Sequence, residues 1–242
     1  MVFLKEGAAV AESIRPRIRQ GIATVALVCG ACATVMSSNV SSEGQHRYRN
    51  AALVCVELTT KDHLSVPASI TMREEATRIW LRHGVALTWT QHPRADCQTV
   101  VPIVFDAEQL TKMGRGKYAD ALAVTIFSGG SRVVYVSAPH AFQMLAQLPE
   151  ISRIESVGER DLRGGLLIGR VVAHELGHVL LTTVAHSPTG LMRPVFGLKD
   201  VLSADDRMTD LSPVETDRLA MRFSLMPLES PREARAVAPR NR

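Results

Sequence analysis

The chain has 242 residues, 46% hydrophobic but only 5% aromatic, with 28 Lys and Arg against 24 Asp and Glu. A formal charge of +4 rests on dispersed Lys and Arg, with no long basic run and no basic residues interleaved with aromatics, so a nucleic-acid footprint is excluded. An N-terminal segment and a polar tail set aside, roughly 180 residues remain, enough for one domain with a substantial core.

Residues 1–42 read as a targeting segment. Lys5, Arg15, Arg17 and Arg19 precede an uncharged stretch at 20–42 whose apolar heart runs from 22 to 36. About 15 apolar residues suit a signal-peptide core better than a membrane span, and Ala31-Cys32-Ala33 offers an A-x-A cleavage site. A retained N-terminal membrane anchor is the alternative, because the whole uncharged stretch could cross a bilayer. Either way the rest of the chain is expected outside the cytoplasm, whether secreted, periplasmic or anchored. Cys29 and Cys32 have C-x-x-C spacing but lie in the apolar targeting core, where a redox or metal role does not fit. Cys55 and Cys97 remain, and one cysteine pair in an exported domain invites a disulfide, with two free thiols as the alternative.

The domain is expected at 43–228. Its strands read at 52–58, at 85–89 with alternating Val85, Leu87 and Trp89, and at 100–105, where Pro102 argues for a bend or bulge. Strands at 121–127 and 132–137 flank Ser128-Gly129-Gly130-Ser131, a hairpin signal. A helix is predicted over 71–83, with Met72, Ala76, Ile79 and Trp80 on one face, a Thr71/Glu74 capping box and a Gly84 stop. Residues 149–165 are polar and read as a surface loop. Ser212-Pro213-Val214-Glu215 opens a helix that ends near residue 225, and 229–242 reads as a disordered basic tail. The fold class is α+β, a mixed α/β arrangement of five strands and one early helix ahead of the segment described next.

That segment is His174-Glu175-Leu176-Gly177-His178. On a helix, residues four apart share a face one turn apart, so both imidazoles can reach one ion with Glu175 beside them. With eight His in the chain the bare pattern can arise by chance, so its context matters. It falls between Leu166-Leu167-Ile168-Gly169-Arg170-Val171-Val172-Ala173 and Val179-Leu180-Leu181, a helix buried on most of its surface. Burying a carboxylate and two imidazoles without partners would cost several kcal/mol, and a divalent cation is a single partner for all three.

A catalytic zinc takes three protein ligands and keeps one position open. The candidate third ligand is His186. A continuing helix would carry it about 12 Å past His178, so the helix must end and turn back. The β-branched Thr182-Thr183-Val184 and the turn residues Ser187-Pro188-Thr189-Gly190 suggest an end near residue 183. The other reading of His186 is a solvated loop histidine.

From His174 to Pro194, HELGHVLLTTVAHSPTGLMRP resembles the metzincin class of zinc peptidases, particularly the small matrixin-like bacterial members. In these, HExxHxxGxxH is followed by Ser and a tight turn containing Met. The resemblance implies His174, His178 and His186 as zinc ligands, Glu175 as general base, Ser187 after the third ligand, and Met192 in the turn beneath the metal. Two departures stand out: seven residues separate His178 from His186 where the family has five, and Leu181 occupies the glycine position. No Tyr follows Met192, so a tyrosine that assists the oxyanion in some relatives has no counterpart. HELGH-LL followed by HS-TG-M is also similar to small secreted bacterial proteins over most of the chain after residue 50. The resemblance further implies a twisted mixed five-stranded sheet on the early helix and the zinc helix, with 121–127 as an antiparallel edge strand beside the cleft.

The expected function is therefore that of a zinc-dependent endopeptidase acting on a protein or peptide substrate by Glu175-assisted attack of water, with Zn2+ as cofactor. Two alternatives are a cytosolic HExxH peptidase that cleaves a repressor and a noncatalytic zinc-stabilised binding module. His46, His63, His83, His92 and His140 read as solvent-facing. Asp200, Asp205, Asp206 and Asp210 read as loop-solvating, with a carboxylate ligand among them if His186 is not one.

Overall fold

The computed structural model describes residues 3–5, 48, 50–114, 121–148, 156–197, 202–203 and 205–226. All belong to one unit covering 1–6 and 46–242; the other unit, 7–45, lies outside the described residues. The expected targeting segment at 1–42 is thus outside them apart from 3–5, and the tail at 229–242 is outside them altogether.

The strands are β1 (Phe3–Lys5), β2 (Ala52–Thr60), β3 (Val85–Thr90), β4 (Thr99–Phe105), β5 (Ala123–Ser128), β6 (Ser131–Val136) and β7 (Val195–Gly197). The helices are α1 (Val66–Arg82), α2 (Ala107–Gly114), α3 (Ala138–Ala146), α4 (Val157–Leu180) and α5 (Pro213–Phe223). The fold is mixed α and β. Its five-stranded sheet has the order β3-β2-β4-β6-β5, parallel throughout except for β5, which runs antiparallel to β6 at one edge. β2 has a partner on each side, and its apolar run buries Ala52, Val54, Cys55 and Val56. β1 and β7 form a separate parallel pair.

α1 and α4 run side by side in the same direction. A Cβ on Gly165 would stand 2.6 Å from the Ala68 carbonyl oxygen and one on Gly169 2.8 Å from that of Met72, so missing side chains let the helices touch. Arg170 bonds Glu75 across this contact at 2.7 Å, and Arg78, also on Glu75, reaches Asp206. Burial raises the Glu75 carboxyl, but these two guanidinium groups hold it below its usual range.

Several sequence expectations are corrected. α1 begins at Val66, not Thr71: Ser65 accepts the Ala68 N–H and Pro67 sits in the first turn, and these outweigh the capping-box pattern at Thr71 and Glu74. α4 begins at Val157, so half of the supposed loop at 149–165 is helix; Ser156 caps it, and its first turns project with Val157 and Leu162 exposed. α2 and α3 precede α4 as well. Asp106 caps the first by accepting the Gln109 N–H, and Ser137 caps the second by accepting the His140 N–H. The β2–β4 register runs unbroken from Val54↔Thr99 to Thr60↔Phe105, so Pro102 makes no bulge. β6 pairs only with Ile103–Phe105, which leaves Pro102 where the other side of β4 is not yet matched. The β5–β6 turn is Gly129-Gly130, both at positive φ (55° and 86°), as a two-residue hairpin loop of this hand requires. His83 is buried rather than solvent-facing, its Nε2 3.0 Å from the Thr209 carbonyl oxygen. His63 and His92 are exposed and His140 is half-buried; His46 lies outside the described residues.

Candidate metal centre

From Gly164 to Leu180 only Leu166 of α4 escapes full burial, so His174, Glu175 and His178 are held by a helix packed on nearly all sides. The helix stops at Leu180, with Leu181 as its C-cap and a left-handed residue just beyond it. Thr182 adopts φ 49°, its N–H bonds the Val179 carbonyl, and the Thr183 N–H reaches back to the His178 carbonyl at 3.1 Å. The reversal that a glycine makes in the metzincin pattern is made here one residue later and by a threonine. The chain then returns His186 to the two helical imidazoles. The ligand atoms of His174, His178 and His186 all lie within 4.8 Å of one another.

Each helical imidazole is oriented from behind. His174 Nδ1 lies 2.7 Å from the Leu191 carbonyl oxygen and His178 Nδ1 2.9 Å from that of Thr183. A carbonyl only accepts, so each Nδ1 carries the ring proton and each Nε2 presents a lone pair. The two Nε2 atoms are 3.1 Å apart. Burial pushes His174 down to about 3 and lowers His178 as well, which keeps both rings neutral. Desolvation of the inner face of the exposed His186 takes it down to about 4. Two neutral nitrogens facing each other with no proton between them repel, and a shared cation removes that repulsion. Nitrogens bound to one tetrahedral metal ion of zinc's size stand roughly 3.3 Å apart, close to the 3.1 Å between the His174 and His178 Nε2 atoms. His174, His178 and His186 could therefore hold a metal ion together.

No protein-family model matches the chain, and no curated protein matches it.

Glu175 is fully buried on the same turn. Thr125, from the edge strand β5, donates its hydroxyl to Glu175 Oε2 at 2.6 Å. Burial by itself raises the Glu175 carboxyl and the hydrogen bond from the Thr125 hydroxyl opposes it; the group stays below the usual carboxylate range. Met192 is fully buried with its sulfur against Gly177 of α4, where a Cβ would lie 2.2 Å away. The turn carrying Met192 is tied at both ends, by Ser187 N–H to the Met192 carbonyl and by Leu191 N–H to the Asp210 carbonyl. Phe196 of β7 meets His174 edge-on, ring centroids 5.7 Å apart.

Ser187 is not a ligand; its hydroxyl hydrogen-bonds Glu215 Oε1. Cys55 on β2 and Cys97 ahead of β4 are joined in a disulfide, Cα atoms 5.7 Å apart. The carboxylates held in reserve are otherwise engaged: Asp205 pairs with Arg207, Asp206 with Arg78 and Arg82, and Asp210 with Arg82, while Asp200 lies outside the described residues. Sequence reading missed Thr125, Glu215, Arg222 and the two carbonyl acceptors. Of these only Glu215 carried a signal, as the fourth residue of its capping box.

Proposed function

We propose that this chain is a zinc-dependent endopeptidase of metzincin-like architecture, exported through its N-terminal segment and acting on protein or peptide substrates. The reading rests above all on two buried imidazoles, each with its Nδ1 proton committed to a carbonyl, whose Nε2 lone pairs meet at 3.1 Å with His186 beside them. The metzincin comparison is supported by the sheet order with β5 as its antiparallel edge, by the returning His186 and by Met192 under the helix. Zinc held there would act as a Lewis acid, polarising a peptide carbonyl and lowering the pKa of a coordinated water toward neutrality.

The chain's own residues supply the rest. Glu175 takes the proton from the attacking water and returns it to the departing amine, with its Oε2 held by the Thr125 hydroxyl. No described strand pairs with the outer edge of β5, so an extended peptide can add there by backbone hydrogen bonds. The disulfide suits an oxidising compartment and speaks against the cytosolic repressor-cleaving alternative. Among the described residues no helix is long and apolar enough to cross a membrane.

The test is Glu175→Ala in the full chain with a mixed-sequence peptide library as substrate. The expected result is one zinc per chain in parent and variant, with cleavage only by the parent. Cleavage by a zinc-loaded variant would remove Glu175 as the base, and a zinc-loaded parent that cleaves nothing would favour the noncatalytic module.

A further inference from the structure

The loop carrying His186 has little packing of its own. Thr182 and residues 184–186 are exposed, Val184 at 75%, and Thr182 stands at a φ that β-branched residues seldom adopt. A metal ligand on such a loop would have to be ordered by the ion itself unless something else fixed it.

α5 makes contact on both sides of His186. On the near side, Arg222 Nη1 donates to the Val179 and Leu180 carbonyls, each at 2.9 Å, and to the Thr182 hydroxyl. Those carbonyls belong to the last turn of α4, where helical partners have run out. On the far side, Ser187 donates to Glu215 Oε1, while Glu215 Oε2 accepts the Ser212 N–H at 2.8 Å in the capping box of α5. Glu215 and Arg222 are seven residues apart, two helical turns, and so share one face of α5. Glu215 is buried, which keeps its contact dry.

We propose that α5 presets the third imidazole: Arg222 and Glu215 are positioning residues that grip the His186 loop at Thr182 and Ser187, so that His186 is in place before the metal arrives. This rests on the metal reading above. It explains how a connection two residues longer than the metzincin pattern, with no glycine at the reversal, still delivers its histidine to the site. Outer partners of metal ligands typically contribute about ten- to hundredfold in affinity, and each grip is expected to fall in that range.

The experiment measures zinc dissociation constants by chelator competition, and the cobalt absorption spectrum, for the full chain and for Ser187→Ala, Ser187→Thr, Arg222→Met and His186→Ala. Ser187→Ala breaks the loop contact but leaves the α5 capping box intact, and its metal-free unfolding midpoint is expected to stay near the parent's. Ser187→Ala and Arg222→Met should each weaken zinc about ten- to hundredfold and move the cobalt spectrum toward that of His186→Ala, while Ser187→Thr, which keeps the hydroxyl, restores both. If Arg222→Met does not fold, Ser187→Ala and its Thr rescue decide. Parent-like affinity and spectrum in Ser187→Ala, alongside clear weakening in His186→Ala, overturn the proposal while leaving the metal site standing. A parent that takes up no metal, or a His186→Ala variant indistinguishable from it, defeats the three-histidine reading itself and the clamp with it.

Discussion

Gly190 and Gly129 make a matched pair. Both have positive φ, 75° and 55°, so alanine at either carries the left-handed backbone penalty of about 1–2 kcal/mol, offset in part by a stiffer unfolded chain. They differ in surroundings. A Cβ on Gly129 meets nothing within 4 Å, whereas one on Gly190 would stand 2.2 Å from the Asp210 carbonyl oxygen. That oxygen accepts the Leu191 N–H at 2.8 Å, and the Leu191 carbonyl in turn holds His174 Nδ1. Relieving the clash requires backbone to move, at about 1–3 kcal/mol, and weakens a buried hydrogen bond worth about 1 kcal/mol. Gly190→Ala should therefore lose about 2–5 kcal/mol in urea unfolding of metal-free protein at pH 7, and Gly129→Ala about 1 or less. Because the displaced chain of contacts ends on His174, a proposed zinc ligand, Gly190→Ala should also weaken zinc about tenfold and Gly129→Ala not at all. Equal losses from the two substitutions, or an unchanged zinc affinity in Gly190→Ala, would refute the claim that the Met192 turn is braced on Asp210.

Thr125→Val removes a hydroxyl and keeps the shape; it should leave zinc stoichiometry unchanged and lower kcat/KM about tenfold, with Thr125→Ser keeping most of the parent activity, and parent-like activity in Val with a loss in Ser would assign Thr125 to packing alone. Cys55 and Cys97 are 42 residues apart, and replacing both with Ala should lower stability by about 2–4 kcal/mol, read as a lower urea midpoint that reducing agent no longer affects. Stability of the metal-free protein should also fall as pH drops below about 6.5. Burial holds His174 down to about 3 and His186 to about 4, so between these values and 6.5 the unfolded chain binds protons that the folded chain refuses. The slope approaches about 1.4 kcal/mol per pH unit for buried His174 and is smaller for the exposed His186; a urea midpoint as high at pH 5 as at pH 7 would contradict it.

What was legible in the sequence followed from local pattern. The alternating or continuous apolar strands, the glycine pair of the hairpin and the buried run around His174 each carry their structural reason within a few residues. Helix starts were legible only where the cap preceded a clear apolar period, as at Ser212. At Ser156 the cap introduces charged turns, with Glu159 and Arg160 exposed and Asp161 and Arg163 half-buried, that carry no core-facing stripe, so the first two turns of α4 read as loop. α2 and α3, of eight and nine residues, are little more than two turns each, too short for a period to declare itself. Thr125, Arg222 and the burial of His83 were not legible at all, because each depends on which distant element lies opposite: β5 against Glu175, α5 against the end of α4, and the 206–209 turn against the end of α1. The position of Thr182 in the left-handed region likewise follows from the return path to His186, and nothing in the local sequence favours it.

The central claim is that His174, His178 and His186 hold one zinc ion. Elemental analysis of the purified full chain, beside folded His178→Ala and His186→Ala variants, tests it most directly. The account predicts one zinc per chain in the parent, none in His178→Ala and a weakly held ion in His186→Ala. A folded parent without zinc, or a full complement in His178→Ala, would contradict it.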